Sequence, residues 1–329
     1  MRKTTVFLVA LAMALTIAGC TKTENTAEAG AAAPLFKVRY ASLGVGDGSI
    51  PLLLGIKKGF FRENGIDVEI TRFRGGPEAI VGAASGAADL GSVGTPILIG
   101  AAKGVPIRII GSPVGNGNTF ILVARSQFPT IEALKGKKIG GGNPGGGSRQ
   151  AFVAMTREKG LGLQDFKVLD TGSSANAFAA LQAGQLDATI TSEMYGAKAE
   201  IEGFGKIIAR AADAKQFKRY QHTFFFASQK FIDKNPERVR GFLKAYKKSV
   251  EYVKANPEES IQFGVKDLEL EEKPLRRAFV RTLARLDPNL AVDLVGTDNA
   301  IKALKELGDL DSSIQITAEQ LVDSRFIPK

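Results

Sequence analysis

Tryptophan is absent from this chain, and cysteine and histidine occur once each, as Cys20 and His222. A single cysteine excludes an internal disulfide, so the body of the protein must stand on hydrophobic cores. One histidine and one cysteine cannot assemble a His/Cys metal site, and neither a Ser-His-Asp nor a Cys-His set is possible without His222. Asp and Glu pairs at a defined spacing, the mark of a two-carboxylate acid–base centre, are not evident. Without tryptophan, stacking on a ligand falls to Tyr195 or a phenylalanine. Long apolar runs are missing too: from Thr21 onward none reaches the roughly 20 residues that a bilayer span requires.

At the N-terminus, Arg2 and Lys3 precede an apolar and small-residue run from Val6 to Ile17, then Ala18-Gly19-Cys20. A charged start, a short apolar stretch and small residues before a cut mark a secretory signal. Ile17-Ala18-Gly19-Cys20 is similar to the lipobox of bacterial lipoproteins, whose cysteine becomes the acylated first residue of the mature chain. Residues 1–19 therefore read as a signal peptide and Cys20 as the lipidation site. Residues 20–34 read as a flexible tether, because Thr21 to Pro34 carries no large apolar side chain to offset its ordering entropy. The expectation is an exported monomer, lipid-anchored at the periplasmic or outer face of a bacterial membrane. The formal charge of +10, to which Arg2 and Lys3 contribute, favours encounter with anions. Nucleic acid is not expected as a partner, because the basic residues are scattered among acids and no aromatic residues interleave with them.

Val38 to Ser42 alternates as a strand, Leu43 to Ser49 is a glycine-rich turn, and Pro51 opens a helical pattern running to Phe60-Phe61. A strand at 68–73, a turn at Gly75-Gly76-Pro77, a small-residue helix from Ala79 and a third strand at 89–93 follow. Strands alternating with helices at this spacing predict α/β architecture with doubly wound parallel sheets. The unit recurs: Ala79, Gly86 and Asp89 have counterparts in Ala177, Gly184 and Asp187, each 98 positions on. Both glycines are expected to end a helix in a left-handed cap. Two copies are too few for a solenoid and argue for a duplicated lobe.

Thr119–Ala124 and Thr223–Ser228 also look alike, and read either as crossovers of a hinged two-lobe molecule or as ordinary buried strands. The first reading gives lobe one as 35–121 plus 225–329 and lobe two as 122–224, joined by a two-strand hinge. From Phe231 the pattern turns helical. Asn235-Pro236-Glu237 and Asn256-Pro257-Glu258 are helix starts, and Val239, Phe242, Leu243, Tyr246, Val250 and Val253 form one apolar stripe for the core.

Four motifs in order carry a family resemblance: Gly55-Ile56-Lys57-Lys58-Gly59-Phe60-Phe61 through Gly65-Ile66, Gly86-Ala87-Ala88-Asp89-Leu90-Gly91, Leu134-Lys135-Gly136-Lys137-Lys138-Ile139 leading to Gly147-Ser148, and Ala183-Gly184-Gln185-Leu186-Asp187-Ala188. From about Phe36 to Ser260 the chain resembles the solute-binding proteins of ABC importers in the nitrate, sulfonate, taurine and bicarbonate group, which includes binders of thiamine-precursor pyrimidines. The resemblance implies a type II periplasmic-binding-protein fold, two lobes closing on a small solute, and delivery to a permease driven by a separate ATPase. No cofactor, metal or catalytic residue is expected. The missing tryptophan departs from members that use one in the pocket.

In open α/β sheets, ligands sit beyond the carboxyl ends of the strands. The loops there supply the candidate solute-binding residues: Ser42, Gly46, Asp47, Arg74 and Thr95 in lobe one, and Asn143, Ser148, Ser173, Glu193 and Tyr195 in lobe two. Gly140 to Ser148 leads, because a glycine-rich loop opening a helix offers free N–H groups and the positive end of a dipole to an anion. It also reads as a plain flexible turn. No Gly-Lys-Ser/Thr ends it, which excludes a P-loop.

Asp47 and Glu193, if both face the cleft, would accept hydrogen bonds from an amine or ring nitrogen and repel a bare oxyanion, although Asp47 equally suits a turn or helix cap. Arg74 and Arg149 either balance those acids or are solvated loop charges. A sulfonate or related oxyanion leads, with an amine-bearing or pyrimidine-type solute as the alternative and an envelope sensor or adaptor as a third reading. Yeast-type thiamine-pyrimidine synthases resemble these binders and use histidine and iron-binding cysteines. Here Cys20 is assigned to lipid and His222 reads as a hinge or surface imidazole, so a binder is expected and not an enzyme.

Overall fold

The computed structural model describes residues 34–115, 117–141 and 145–327. The expected signal peptide, Cys20 and the tether up to Ala33 lie outside the described residues. The chain runs through β1 (Phe36–Ser42), α1 (Ile50–Lys57), β2 (Ile66–Arg72), α2 (Gly76–Ser85), β3 (Leu90–Val93), α3 (Pro96–Ala102) and β4 (Ile107–Gly111). It crosses to β5 (Ile121–Arg125), β6 (Lys138–Gly140), α4 (Gly147–Arg157), β7 (Lys167–Leu169), α5 (Ser174–Gln182), β8 (Ala188–Thr191), α6 (Glu193–Ile201) and β9 (Gly205–Arg210). It returns through β10 (Phe224–Ser228) and ends in α7 (Gln229–Lys234), α8 (Pro236–Ala255), α9 (Pro257–Lys266), α10 (Glu272–Arg285), α11 (Leu294–Glu306) and α12 (Ala318–Leu321).

Two five-stranded sheets result, ordered β2-β1-β3-β10-β4 and β7-β6-β8-β5-β9, one to each lobe. The orders coincide once β10 and β5 are matched, so the lobes are copies that have exchanged one strand. In each sheet the exchanged strand is antiparallel to both neighbours. The sheets are therefore mixed, where uniform alternation of strand and helix predicts parallel ones. These strands are the two look-alike segments, and their near-continuous apolar runs follow from burial on both faces. They are not the crossovers. Those lie just ahead, around 112–120 and 211–223, and meet where Gly117 bridges Gln221 and the Gly117 N–H donates to the Tyr220 carbonyl at 2.7 Å.

The repeat has a physical purpose. Gly86 and Gly184 sit at φ +87° and +75°, the left-handed turn that ends α2 and follows α5. Three residues on, Asp89 and Asp187 play one part twice: Oδ2 of each accepts a backbone N–H from the neighbouring strand, Arg39 at 2.8 Å and Lys138 at 2.9 Å. Asp89 also holds the Arg39 guanidinium through Nε at 3.1 Å and Nη2 at 2.5 Å.

The apolar stripe of α8 is buried against lobe one as its period requires, with Tyr40 stacked on Phe242 at 5.7 Å between ring centroids. The next helices depart from a simple covering layer. α10 lies along α6 of the other lobe, joined by Arg277–Glu200 and by Arg281–Glu193 at 3.6 Å. Ile97 and Leu98 of α3 share one apolar cluster with Ala151 and Phe152 of α4, so packing is continuous from lobe to lobe.

Asp89→Ala strands both a backbone N–H and a guanidinium, whereas Asp187→Ala strands the N–H. The expected losses of unfolding free energy are about 2–3 and about 1 kcal/mol, read by urea titration. Equal losses would show that the Arg39 pair adds nothing.

Candidate functional site

The loop after β3 meets the start of α4 in a seam between the lobes, and the turn after β1 comes within electrostatic reach of the start of α6. At the centre of this seam Thr95 is fully buried, its Oγ1 accepting from Gln150 Nε2 at 3.1 Å and donating to the Gly145 carbonyl at 3.5 Å. Tyr220, from the second crossover, donates its hydroxyl to Gln150 Oε1. Glycine is needed at the start of α4, because a Cβ on Gly147 would lie 1.9 Å from His222 Nε2.

A cavity of about 70 Å³ lies against the first turns of α4 and α5, lined by Phe120, Ser148, Thr171 and Ser173 among others. That is room for about two waters. Gly146 precedes α4 and has no side chain to cap it. Thr171 Oγ1 is buried without a hydrogen-bond partner. Ser173 caps α5, its Oγ accepting from the Asn176 N–H at 3.2 Å. A larger depression of about 350 Å³ on lobe two lies beside the carboxyl-terminal half of α4, lined by Thr130, Met155, Lys159 and Asp213 among others. No α-helix begins at it, so the smaller cavity, where two α-helices begin, is the better ligand seat.

The second group is charged. Asp47, in the turn before α1, accepts a hydrogen bond from the Thr282 hydroxyl on α10. Burial raises the Asp47 pKa, against hydrogen bonds from Thr282 and the local backbone, and Glu193 adds to the rise. Glu193 is held by Arg210 Nε at 2.9 Å and by Arg281. Arg285 donates from Nη2 to the Gly117 carbonyl at 2.9 Å, tying α10 to the first crossover. Burial lowers its pKa to about 10, while Asp47 and Glu193 pull it upward. Tyr195 stacks on Phe178 with centroids 5.1 Å apart, and burial raises its pKa.

The residues expected from the sequence thus divide. Ser148 and Ser173 meet at the cavity, Asp47, Glu193 and Tyr195 meet at the charged group, and Thr95 is taken into the seam. Ser42 and Gly46 bond within their own loop, to Gly44 and Ser49. The Arg74 side chain is 94% exposed and pairs with Glu78, a solvated loop charge. Arg149 faces Asp309 at 3.8 Å. Asn143 lies outside the described residues. Thr171, Arg210, Arg281, Thr282 and Arg285 were not anticipated. Thr171 sits just past β7, two residues before Ser173, so the strand-end rule applied two residues earlier finds it. The α10 residues carry no local signal.

Solved structures with the same arrangement include the alkanesulfonate-binding protein SsuA of Xanthomonas axonopodis pv. citri, bound to MOPS (TM-score 0.68, 22% identity, 91% of this chain and 96% of that one). The nitrate-binding protein NrtA of Synechocystis is another (TM-score 0.67, 16% identity, 85% and 83%). The fold is therefore the two-lobed periplasmic-binding-protein fold. Within it, residues 48–260 match the family described as NMT1/THI5 like, and the chain belongs to that family. It is 26% identical to a Bacillus subtilis protein named for binding aliphatic sulfonates, over 98% of this chain and 95% of that one. It is also 28% identical over 221 residues to a 4-amino-5-hydroxymethyl-2-methylpyrimidine phosphate synthase of Saccharomyces cerevisiae, a match spanning 63% of this chain and 64% of that protein.

Because burial holds the Asp47 pKa above its unfolded value, the folded state retains a proton that the unfolded chain releases, and the ionised carboxylate costs stability as pH rises through the folded pKa. Asp47→Asn keeps an acceptor for Thr282 and is expected to raise the melting temperature at pH 7.5 by about 2–4 °C, with no gain at pH 3. A lower melting temperature at pH 7.5 would show instead that Arg285 needs the charge.

Proposed function

We propose that this chain is the extracytoplasmic solute-binding component of an ABC importer, taking a small organic oxyanion, a sulfonate first, between its lobes and handing it to a permease driven by a separate ATPase. The observation that carries the reading is the cavity where α4 and α5 begin, with Ser148 and the unpartnered Thr171 hydroxyl on its wall. Uncharged N–H and O–H donors converge there, which is the chemistry an oxyanion head selects. Family membership and the printed names of the Bacillus, Xanthomonas and Synechocystis relatives support it. The acids that would receive an amine or a pyrimidine already have partners, Asp47 in Thr282 and Glu193 in Arg210 and Arg281, which weakens that alternative.

About 70 Å³ holds a head group and not a whole organic solute, so the remainder would lie along the seam once the lobes part. The bodies that move in this reading are 35–121 with 225–329, and 122–224, hinged near Gly117 and Gln221. Export through residues 1–19 and a lipid on Cys20 would hold the protein at a membrane; among the described residues no helix is long and apolar enough to cross one. Binding is favoured over the chemistry of the yeast synthases because one histidine and one cysteine are present.

The test is thermal melting with methanesulfonate and longer alkanesulfonates, taurine, nitrate, bicarbonate and pyrimidines, since a ligand of the folded form stabilises it, by about 2.7 kcal/mol at a hundredfold excess over Kd. A shift with sulfonates supports the proposal, one confined to pyrimidines overturns it, and silence favours a sensor or adaptor. Ser148→Ala and Thr171→Val should each weaken sulfonate binding about 5–10-fold. Thr171→Val should do so without loss of stability, because its hydroxyl has no protein partner to lose.

A further inference from the structure

His222, the single histidine of the chain, lies on the second crossover where the lobes touch. It is 7% exposed and meets Phe120 edge-on, with ring centroids 5.4 Å apart. Nδ1 is 3.1 Å from Thr223 Oγ1, whereas Nε2 is buried without a hydrogen-bond partner. Glycine flanks that nitrogen from both lobes: a Cβ on Gly94, after β3, would lie 2.9 Å from it, and one on Gly147 of α4 1.9 Å. The first turn of α4 thus presents the positive end of its dipole to the ring, an arrangement that opposes a charged imidazole.

The ionisable groups packed around the ring add nothing to offset that. Arg285 of α10 acts on it with like sign, and Asp47 and Glu193 act in turn on Arg285. Arg149 of α4 faces Asp309, Tyr220 is bonded to Gln150, and Arg219 on the same crossover is paired with Asp293.

We propose that His222 makes the inter-lobe seam proton-sensitive: the lobes pack around the neutral imidazole, and acid parts them and frees the solute. The proposal rests on the solute-binding reading only for what is released, since closure can be followed with no solute present. Burial and Arg285 lower the His222 pKa to about 3, while an imidazole freed by opening returns to about 6.5. The open form binds the proton more tightly, so the seam is at full strength above about pH 6.5 and weakens as pH falls from there toward 3. Each pH unit below about 6.5 multiplies the open-to-closed ratio about tenfold.

One histidine gives one Cε1–H signal, so its NMR titration needs no assignment and can be run beside small-angle scattering of the purified protein from pH 8 to 3.5, and a signal and radius both unchanged over that whole range overturn the proposal. The expected result is a radius of gyration that grows below about pH 6.5 in step with His222 titration, and a flat profile in His222→Gln, which is uncharged throughout. Effects of Asp47 and other carboxylates are common to both proteins and cancel in the comparison. Growth that persists in His222→Gln, or titration near 6.5 at constant radius, overturns the proposal. If His222→Gln does not fold, the parent decides: coincident midpoints support the proposal and separate ones overturn it. Methanesulfonate separates the two ideas. If it raises the melting temperature, it should also move the His222 midpoint to lower pH, and a fixed midpoint overturns the coupling. If it does neither, the sulfonate reading fails while acid opening still stands on the solute-free scattering.

Discussion

Each crossing between the lobes ends in a strand that solvent does not reach. Phe224, Phe225 and Phe226 of β10 are fully buried in the first sheet, and Leu122, Val123 and Ala124 of β5 in the second. Burying one such phenylalanine is worth roughly 1.5–3 kcal/mol, so pulling either strand from its sheet would cost most of a domain's stability. The crossovers are therefore clamped at both ends, and between those strands the two segments touch where Gly117 bridges Gln221. The exchange of one strand between duplicated sheets is what ties two α/β units into one molecule.

On that frame the seam separates two kinds of chemistry. At the cavity beside α4 and α5 the polar side chains are uncharged hydroxyls, Ser148, Thr171, Ser173 and Ser174. Around α10 the groups are ionisable and partnered, Glu193 by two arginines and Asp47 by the Thr282 hydroxyl. The pairs Arg277–Glu200 and Arg281–Glu193 between α10 and α6, and Lys198–Glu271 just ahead of α10, each have an exposed member, where an ion pair contributes little individually. They lie along the α6–α10 contact, and Arg285 at the end of α10 reaches the Gly117 carbonyl of the first crossover. His222 sits where both environments meet, and the absence of a counter-charge at its Nε2 sets it apart from the paired arginines around it.

Much of the fold was legible in the residues. The spacing of Gly86 with Asp89 and Gly184 with Asp187 announced two copies of one turn, and those turns are local enough to be encoded in a few neighbours. The apolar stripe of α8 and the glycine-rich approach to α4 were legible for the same reason. The crossovers were displaced, because Thr119–Ala124 and Thr223–Ser228 advertise burial and burial does not say which sheet receives a strand. Arg74 looked like a cleft cation by position, yet Glu78 one helical turn on takes it and leaves it in solvent. Glu193 is held by Arg210 and Arg281, and those partners, 17 and 88 positions away, are ones that a local sequence pattern does not supply.

By itself the sequence determined the α/β alternation, the duplication, the glycine-led start of α4 and the lack of a histidine–cysteine catalytic set, since each is written in composition or in residues a few positions apart. The tertiary structure alone decided that Asp47 answers to Thr282, 235 positions away, that Thr95 belongs to Gln150 across the seam, and that His222 is buried between two glycines. Those outcomes follow from how two lobes and a returning helix pack. A side chain's electrostatic character depends on what surrounds it in space, and no local pattern carries that information.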